Sequence, residues 1–175
     1  AYTLKNTLKI RELIGGSFKV YKGSAGPLVA DLLPGSRLNT DIQSFEGIID
    51  GKAVAVHQKE FDLPEPEGRE ERTPAVIWLI DTLMNSREPV TLVPVGPLTD
   101  IALALKIEPG ICNQIQEIVC MGGGVHVANM TPCAEINFYN DPEAAKIVLE
   151  SGIKTTLITL DATHSSWFGY EEAGR

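Results

Sequence analysis

Between residues 73 and 160 short apolar runs alternate with helical patterns, and this alternation restricts the fold more than any other feature of the chain. Thr73-Pro74 reads as an N-cap and first-turn pair, after which Val76, Ile77, Leu79, Ile80, Leu83 and Met84 recur on a broad helical face that runs out at Pro89. Residues 90–95 read as a buried strand, Gly96-Pro97 turns the chain, and residues 98–105 read as a second helix. Pro109 ends that helix, residues 111–115 make another short one, and residues 116–121 make the next strand. Residues 142–150 follow as helix with Gly152 as its stop, then residues 155–160 as a strand rich in β-branched side chains. Short apolar strands without clean polar alternation, separated by helices, predict an α/β fold with a mostly parallel, Rossmann-like sheet and helices on both faces. Ligands bind such sheets beyond the carboxyl ends of the strands, so residues 95–100, 121–141 and 161–164 are expected to share one edge.

The connection from Met121 to Asp141 is long for a strand-to-helix loop, which usually takes only a few residues, and long loops of this kind carry binding residues more often than not. Gly122, Gly123 and Gly124 allow a sharp turn or a close approach to a ligand, while Asn129, Glu135 and Asn137 supply donors and acceptors that suit a polyhydroxylated ligand such as a sugar. On an extended backbone Glu135 and Asn137, on either side of Ile136, point the same way. A surface loop with Ile136 turned inward is the competing reading. The glycines lack the Lys-Ser/Thr of a P-loop and the spacing of a dinucleotide fingerprint, so phosphate binding has little support.

Asp141-Pro142-Glu143 reads as an N-cap followed by an acidic first turn. Asp161 and His164, at a strand end, suit either acid/base chemistry or capping by Asp161. His126 lies in the glycine loop, whereas His57 has no informative neighbours. Trp78 reads as core, and Trp167 as core or pocket wall.

Upstream, Leu4, Leu8, Leu13 and Ile14 stand near helical spacing and stop at Gly15-Gly16, residues 18–21 read as a short strand, and residues 22–27 as a loop. Residues 37–51 carry no clear pattern before the turn signal Asp50-Gly51. Residues 61–72, rich in Pro, Glu and Arg, read as an exposed, mobile excursion or a short linker.

At 175 residues the chain suits a single α/β domain or part of one, residues 1–175. Its net charge of -8 disfavours nucleic acid and anionic membrane, both of which attract surplus Lys and Arg, and leaves a small neutral or cationic ligand or a metal ion. Cys112, Cys120 and Cys133 are odd in number and lack metal-ligand spacing, which points to free thiols in a reducing compartment. No signal-like segment opens the chain, and no apolar run approaches the roughly 20 residues of a membrane span, so a cytoplasmic location is expected.

Several segments together resemble the inosine-uridine-preferring nucleoside hydrolases. They are Leu92-Val93-Pro94-Val95-Gly96-Pro97-Leu98-Thr99-Asp100, Met121-Gly122-Gly123-Gly124, and Asn129-Met130-Thr131-Pro132-Cys133-Ala134-Glu135-Ile136-Asn137. The likeness continues through Asp141-Pro142-Glu143-Ala144-Ala145 and Leu160-Asp161-Ala162-Thr163-His164, and includes Lys22-Gly23 and Pro27-Leu28. The resemblance implies hydrolysis of the N-glycosidic bond of purine and pyrimidine ribonucleosides to ribose and free base, within nucleoside salvage, with bound calcium. It implies that Asn129, Glu135 and Asn137 hold ribose hydroxyls, that Met121 lines the sugar pocket, and that the main-chain carbonyl of Val95 is a calcium ligand. Calcium takes roughly six to eight oxygens, and metal-bound hydroxide attacking an oxocarbenium-like centre is reasonable chemistry for this bond.

The sequence departs from the family pattern in three places. It contains no Asp-rich DxDxxxDD run, which in the family supplies the metal carboxylates and the general base. It contains no late His-Asp pair, the family's further ligand and leaving-group acid. Around residues 43–51 Gln43, Ser44 and Phe45 stand where a His-Gly-x-x-Gly pattern is expected. The chain is therefore expected to be the central portion of a truncated nucleoside hydrolase fold, with a ribose grip, an incomplete calcium site, no assigned catalytic residue, and little or no turnover by itself. A non-catalytic ribose- or nucleoside-binding homologue, or a structural subunit in a homo-oligomer, are the alternatives.

Overall fold

The computed structural model describes residues 2–29, 32, 46–49, 52–55 and 60–166. In chain order the elements are α1 (Tyr2–Leu13), β1 (Glu46–Ile49), β2 (Lys52–Ala55), α2 (Ala75–Met84), β3 (Val90–Leu92) and α3 (Thr99–Ile107). A 3-10 helix (Pro109–Gln114), β4 (Ile115–Met121), α4 (Ile136–Asn140), α5 (Pro142–Leu149), β5 (Thr155–Ile158) and α6 (Leu160–Ser165) follow. β3, β4 and β5 lie side by side in that order as a parallel sheet, with Leu92 opposite Ile118 and Cys120 opposite Leu157. β1 and β2 form a separate antiparallel pair. The expected α/β architecture around a parallel sheet is present.

The core follows from which side chains are small and which are branched. α3 buries Ile101, Ala102, Ala104 and Leu105, and α5 buries Ala144, Ala145 and Val148. The alanines let the two helices approach closely, and both pack on the β4 face that carries Ile118 and Cys120. Each fully buried Ile or Val removed from water in this way contributes about 1.5–3 kcal/mol. Leu83 of α2 and Ile111 of the 3-10 helix, both fully buried, close the same cluster. Because β3, β4 and β5 succeed one another in one direction, right-handed crossovers carry α3 and α5 to the same side of the sheet. The other face stays open among the described residues: Val93 is 66 % and Ile158 39 % exposed.

Tertiary context changes several local expectations. β3 stops at Leu92, and Val93 and Val95 are exposed rather than buried, because no described strand or helix covers that face. Pro74, not Thr73, occupies the N-cap of α2, which has no side-chain cap. Trp78 is not core; it lies 38 % exposed and stacks on Tyr21 with ring centroids 4.4 Å apart. The strand expected over residues 18–21 reduces to one bridge between Tyr21 and Glu71. Residues 60–68 mix exposed and half-buried positions and are fastened to α1: the Asn6 side chain accepts from the Phe61 amide, Glu12 accepts from the Glu67 and Gly68 amides, and Lys5 and Lys9 pair with Glu60. The long connection after β4 is not all loop, since α4 forms within it. The Asp50-Gly51 turn signal, the departures at residues 43–45, His57 and Trp167 lie outside the described residues.

Candidate functional site: the carboxyl edge of the sheet

The three segments expected to share one edge are laced together there by main-chain hydrogen bonds. Past the end of β3, the Pro94 carbonyl accepts from the Met121 amide at 3.0 Å, and the Ile158 carbonyl of β5 accepts from the Gly122 amide at 3.3 Å. The turn that follows needs glycine for reasons internal to the protein. Gly123 has φ +69°, a Cβ on Gly122 would overlap the Phe138 ring, and one on Gly124 would overlap the Val127 carbonyl oxygen. The glycines thus serve packing and turning within the protein.

Glu135 is the centre of this group. It is the N-cap of α4 and only 2 % exposed. Its Oε1 accepts from the Asn137 amide at 3.0 Å, and its Oε2 accepts from the Gly123 and Phe138 amides at 2.9 and 3.2 Å. A buried carboxylate is stable here because its charge meets main-chain donors and the positive end of a helical turn. Glu135 and Asn137 come together through this cap and not through an extended backbone. The Asn137 side-chain amide donates to the Met121 carbonyl at 3.2 Å and lies 3.1 Å from the Met121 sulfur. The Oδ1 of Asn129 accepts from the Ile136 amide at 2.9 Å.

Met121, Asn129, Glu135 and Asn137 therefore form one connected group, with Asn129 and Asn137 each using one end of the amide on the protein itself. The Asn129 NH2, the Asn137 Oδ1 and one remaining acceptor position on Glu135 Oε1 fall outside these bonds: a donor and two acceptors, the complement of hydroxyl groups. Val95 lies beside this group along the chain, one residue beyond Pro94, and is 77 % exposed.

Other carboxylates at this edge also hold main chain. Asp141 caps α5 as expected, accepting from the Ala144 amide at 3.0 Å, and also takes the Leu28 amide at 3.0 Å and the Thr99 hydroxyl at 2.6 Å. Asp100 accepts from the Ser24 amide at 2.8 Å, which pins residues 24–28 to the starts of α3 and α5. Asp161 does not cap its own helix; its two oxygens take the Val125 and His126 amides at 2.8 and 2.9 Å. The Val125 amide, then that of His126, hold the Asp161 carboxyl below its ordinary range, which makes it a weak base. The side chains of His126 and His164 are exposed. Among the described residues no three His, Cys, Asp or Glu gather as a metal site.

Pro94 and Leu28 fall in segments that carry the family resemblance, but the contacts they and Phe138 make at this edge depend on segments distant in sequence and were not legible there.

The chain matches the family model described as inosine-uridine preferring nucleoside hydrolase over residues 1–174. It is 38 % identical over 174 residues to the pyrimidine-specific ribonucleoside hydrolase RihA of Citrobacter koseri, covering 99 % of this chain and 51 % of that protein. Among solved structures, the purine-preferring ribonucleoside hydrolase from Gardnerella vaginalis superposes with a TM-score of 0.79 at 31 % identity, over 98 % of this chain and 52 % of that one. The inosine-uridine preferring nucleoside hydrolase from Bacillus anthracis gives a TM-score of 0.53 at 37 % identity, over 61 % of this chain and 37 % of that one. The chain spans about half the length of the curated relatives it matches. With the family model matched along nearly its whole length and the fold shared with these enzymes, this chain belongs to the inosine-uridine preferring nucleoside hydrolase family.

Proposed function

We propose that the chain carries the ribose-binding half of a hydrolase that cleaves the N-glycosidic bond of ribonucleosides, releasing ribose and free base. The observation that carries this reading is the connected group of Met121, Asn129, Glu135 and Asn137, with unspent donor and acceptor positions at the carboxyl edge of a parallel sheet. In the reaction a C–O bond forms from water to the anomeric carbon as the C–N bond breaks; water gives up one proton and the departing base nitrogen gains one. Met121, Asn129, Glu135 and Asn137 bind and orient the sugar; the proton transfers belong to none of them. The relatives' names divide between pyrimidine-specific and purine-preferring, so the substrate is proposed as ribonucleosides in general.

Calcium belongs to the same proposal, with the Val95 carbonyl as a ligand. One carbonyl is far from the roughly six to eight oxygens calcium requires. Among the described residues no group of His, Cys, Asp or Glu makes up such a cage. A cytoplasmic setting accords with three free cysteines, and a homo-oligomer with the open sheet face.

Calorimetric titration with ribose and inosine, run beside an assay of inosine and uridine hydrolysis with excess calcium, tests the reading. Binding is expected, with little or no turnover from these residues alone. Turnover at ordinary enzyme rates would overturn the half-site reading, and no binding of either ligand would favour a purely structural subunit.

A further inference from the structure

We propose that Asp161 is a positioning residue for the sugar-binding group: by holding the main chain of Val125 and His126 it fixes the glycine turn, whose Gly123 amide in turn fixes the Glu135 carboxylate. The proposal rests on the ribose-binding reading above and assigns a role to a residue outside the four proposed to contact sugar.

The geometry forms a short chain of contacts. Leu160 and Asp161, consecutive at the start of α6, grip the turn from one side: the Leu160 amide donates to the Gly123 carbonyl at 2.9 Å, and Asp161 takes the next two amides but one, at Val125 and His126. From the other side Gly123 donates its own amide to Glu135 at 2.9 Å. The stretch between has little apolar anchorage, since Val125 is 72 % and Val127 37 % exposed. A turn that buries so little side chain depends on its polar ties for a defined position. Gly123, at positive φ and free of a Cβ, has no side chain to restrain it once those ties go. Loosening the turn therefore removes one of the three donors that orient Glu135, and with it the fixed direction of Glu135 Oε1. The same two amides stabilise the charged form of Asp161 and hold its carboxyl below the ordinary range, which suits it to tying main chain better than to taking a proton.

The test uses the whole 175-residue chain and D-ribose as probe. Ribose affinity is measured by calorimetry for wild type, Asp161→Ala and Asp161→Asn, with amide hydrogen exchange followed at Gly123, Val125 and His126. Asp161→Ala is expected to weaken ribose binding by on the order of 10- to 100-fold, the range seen when a metal ligand loses the outer partner that orients it. Exchange should quicken at Gly123 as well as at Val125 and His126. Asp161→Asn keeps one acceptor oxygen and should recover part of the affinity.

A role in stability alone would lower the melting temperature and leave the affinity of folded protein unchanged, and that result overturns the proposal. Unchanged protection at Gly123 in Asp161→Ala overturns it too. Should Asp161→Ala not fold, Asp161→Asn decides: affinity equal to wild type sinks the proposal, and weaker binding by folded protein supports it. If wild type itself binds no ribose, the ribose-binding reading has failed and this one with it; if wild type binds and Asp161→Ala binds equally, only this one has failed.

Discussion

Carboxylates at the sheet edge illustrate how a single side chain both builds and equips a site. Glu135 has three main-chain donors converging on two oxygens. Glu135→Gln would set an NH2 against one or more of those amides, leaving buried donors unmatched at a cost of about 1–3 kcal/mol. Urea unfolding is expected to show that loss, and titration of the folded variant to show no ribose binding. Asp141 is more purely architectural: fully buried, it joins α5, Thr99 of α3 and Leu28. Asp141→Ala should lose about 1 kcal/mol for the cap, and about 1–3 kcal/mol more for stranding the buried Thr99 hydroxyl. A double-mutant cycle with Thr99→Val measures the second part; additive losses would show that the hydroxyl does not depend on Asp141. The sequence already marked Asp141 as a cap, because capping is local. That its other oxygen reaches Leu28, 113 residues away in the chain, was not legible there.

At the scale of elements, α1 is attached differently from the rest. The principal buried cluster is built from residues of α2, α3, the 3-10 helix, β4 and α5 and their flanks, with no member from α1. α1 buries Leu8 and Lys9 outside that cluster and is further held by Lys5 and Lys9 on Glu60, by Lys5 on Glu65, and by Glu12 on the Glu67 and Gly68 amides. Lys5 foremost, then Lys9, holds the Glu60 carboxyl down to about 2 from an ordinary 4.5. A depressed carboxylate contributes stability that is fully present above its unfolded value and is lost as pH falls toward its folded value. Docking of α1 should therefore weaken between about pH 4.5 and 2 while the sheet persists. Hydrogen exchange should show α1 amides losing protection ahead of β4 amides as the pH is lowered; simultaneous loss would contradict this attachment. Glu60→Gln should remove part of the acid dependence in that window; Glu12, held below its ordinary range by the Gly68 and then the Glu67 amide, contributes in the same direction.

At the scale of the molecule, the sheet is covered by helices on one face and, among the described residues, open on the other. Helices α3 and α5 cover the face of Ile118 and Cys120, where burial pushes the Cys120 thiol up from its usual range. The opposite face and the outer edge of β3 leave Val93 and Ile158 in contact with solvent among the described residues. Exposed apolar surface beside an unpaired strand edge favours association. Light scattering over rising concentration is expected to give masses above the 19.0 kDa of one chain, and Val93→Lys to shift them back toward it. A monomer at all concentrations would remove the oligomer from the proposed function.

The sequence by itself determined the alternation of strand and helix from residue 73 onward, the helix ends at Gly15 and Asp141, and the loop that carries Asn129, Glu135 and Asn137. These follow from periodicity, caps and glycine placement, which act over a few residues. Only the tertiary structure decided that the glycines make room for Phe138 and Val127, that Glu135 spends three acceptor positions on main chain, and that Asp161 ties a different segment. The physical reason is the same in each case: a buried polar atom must find a partner wherever the fold brings one, and that partner need not be near in sequence.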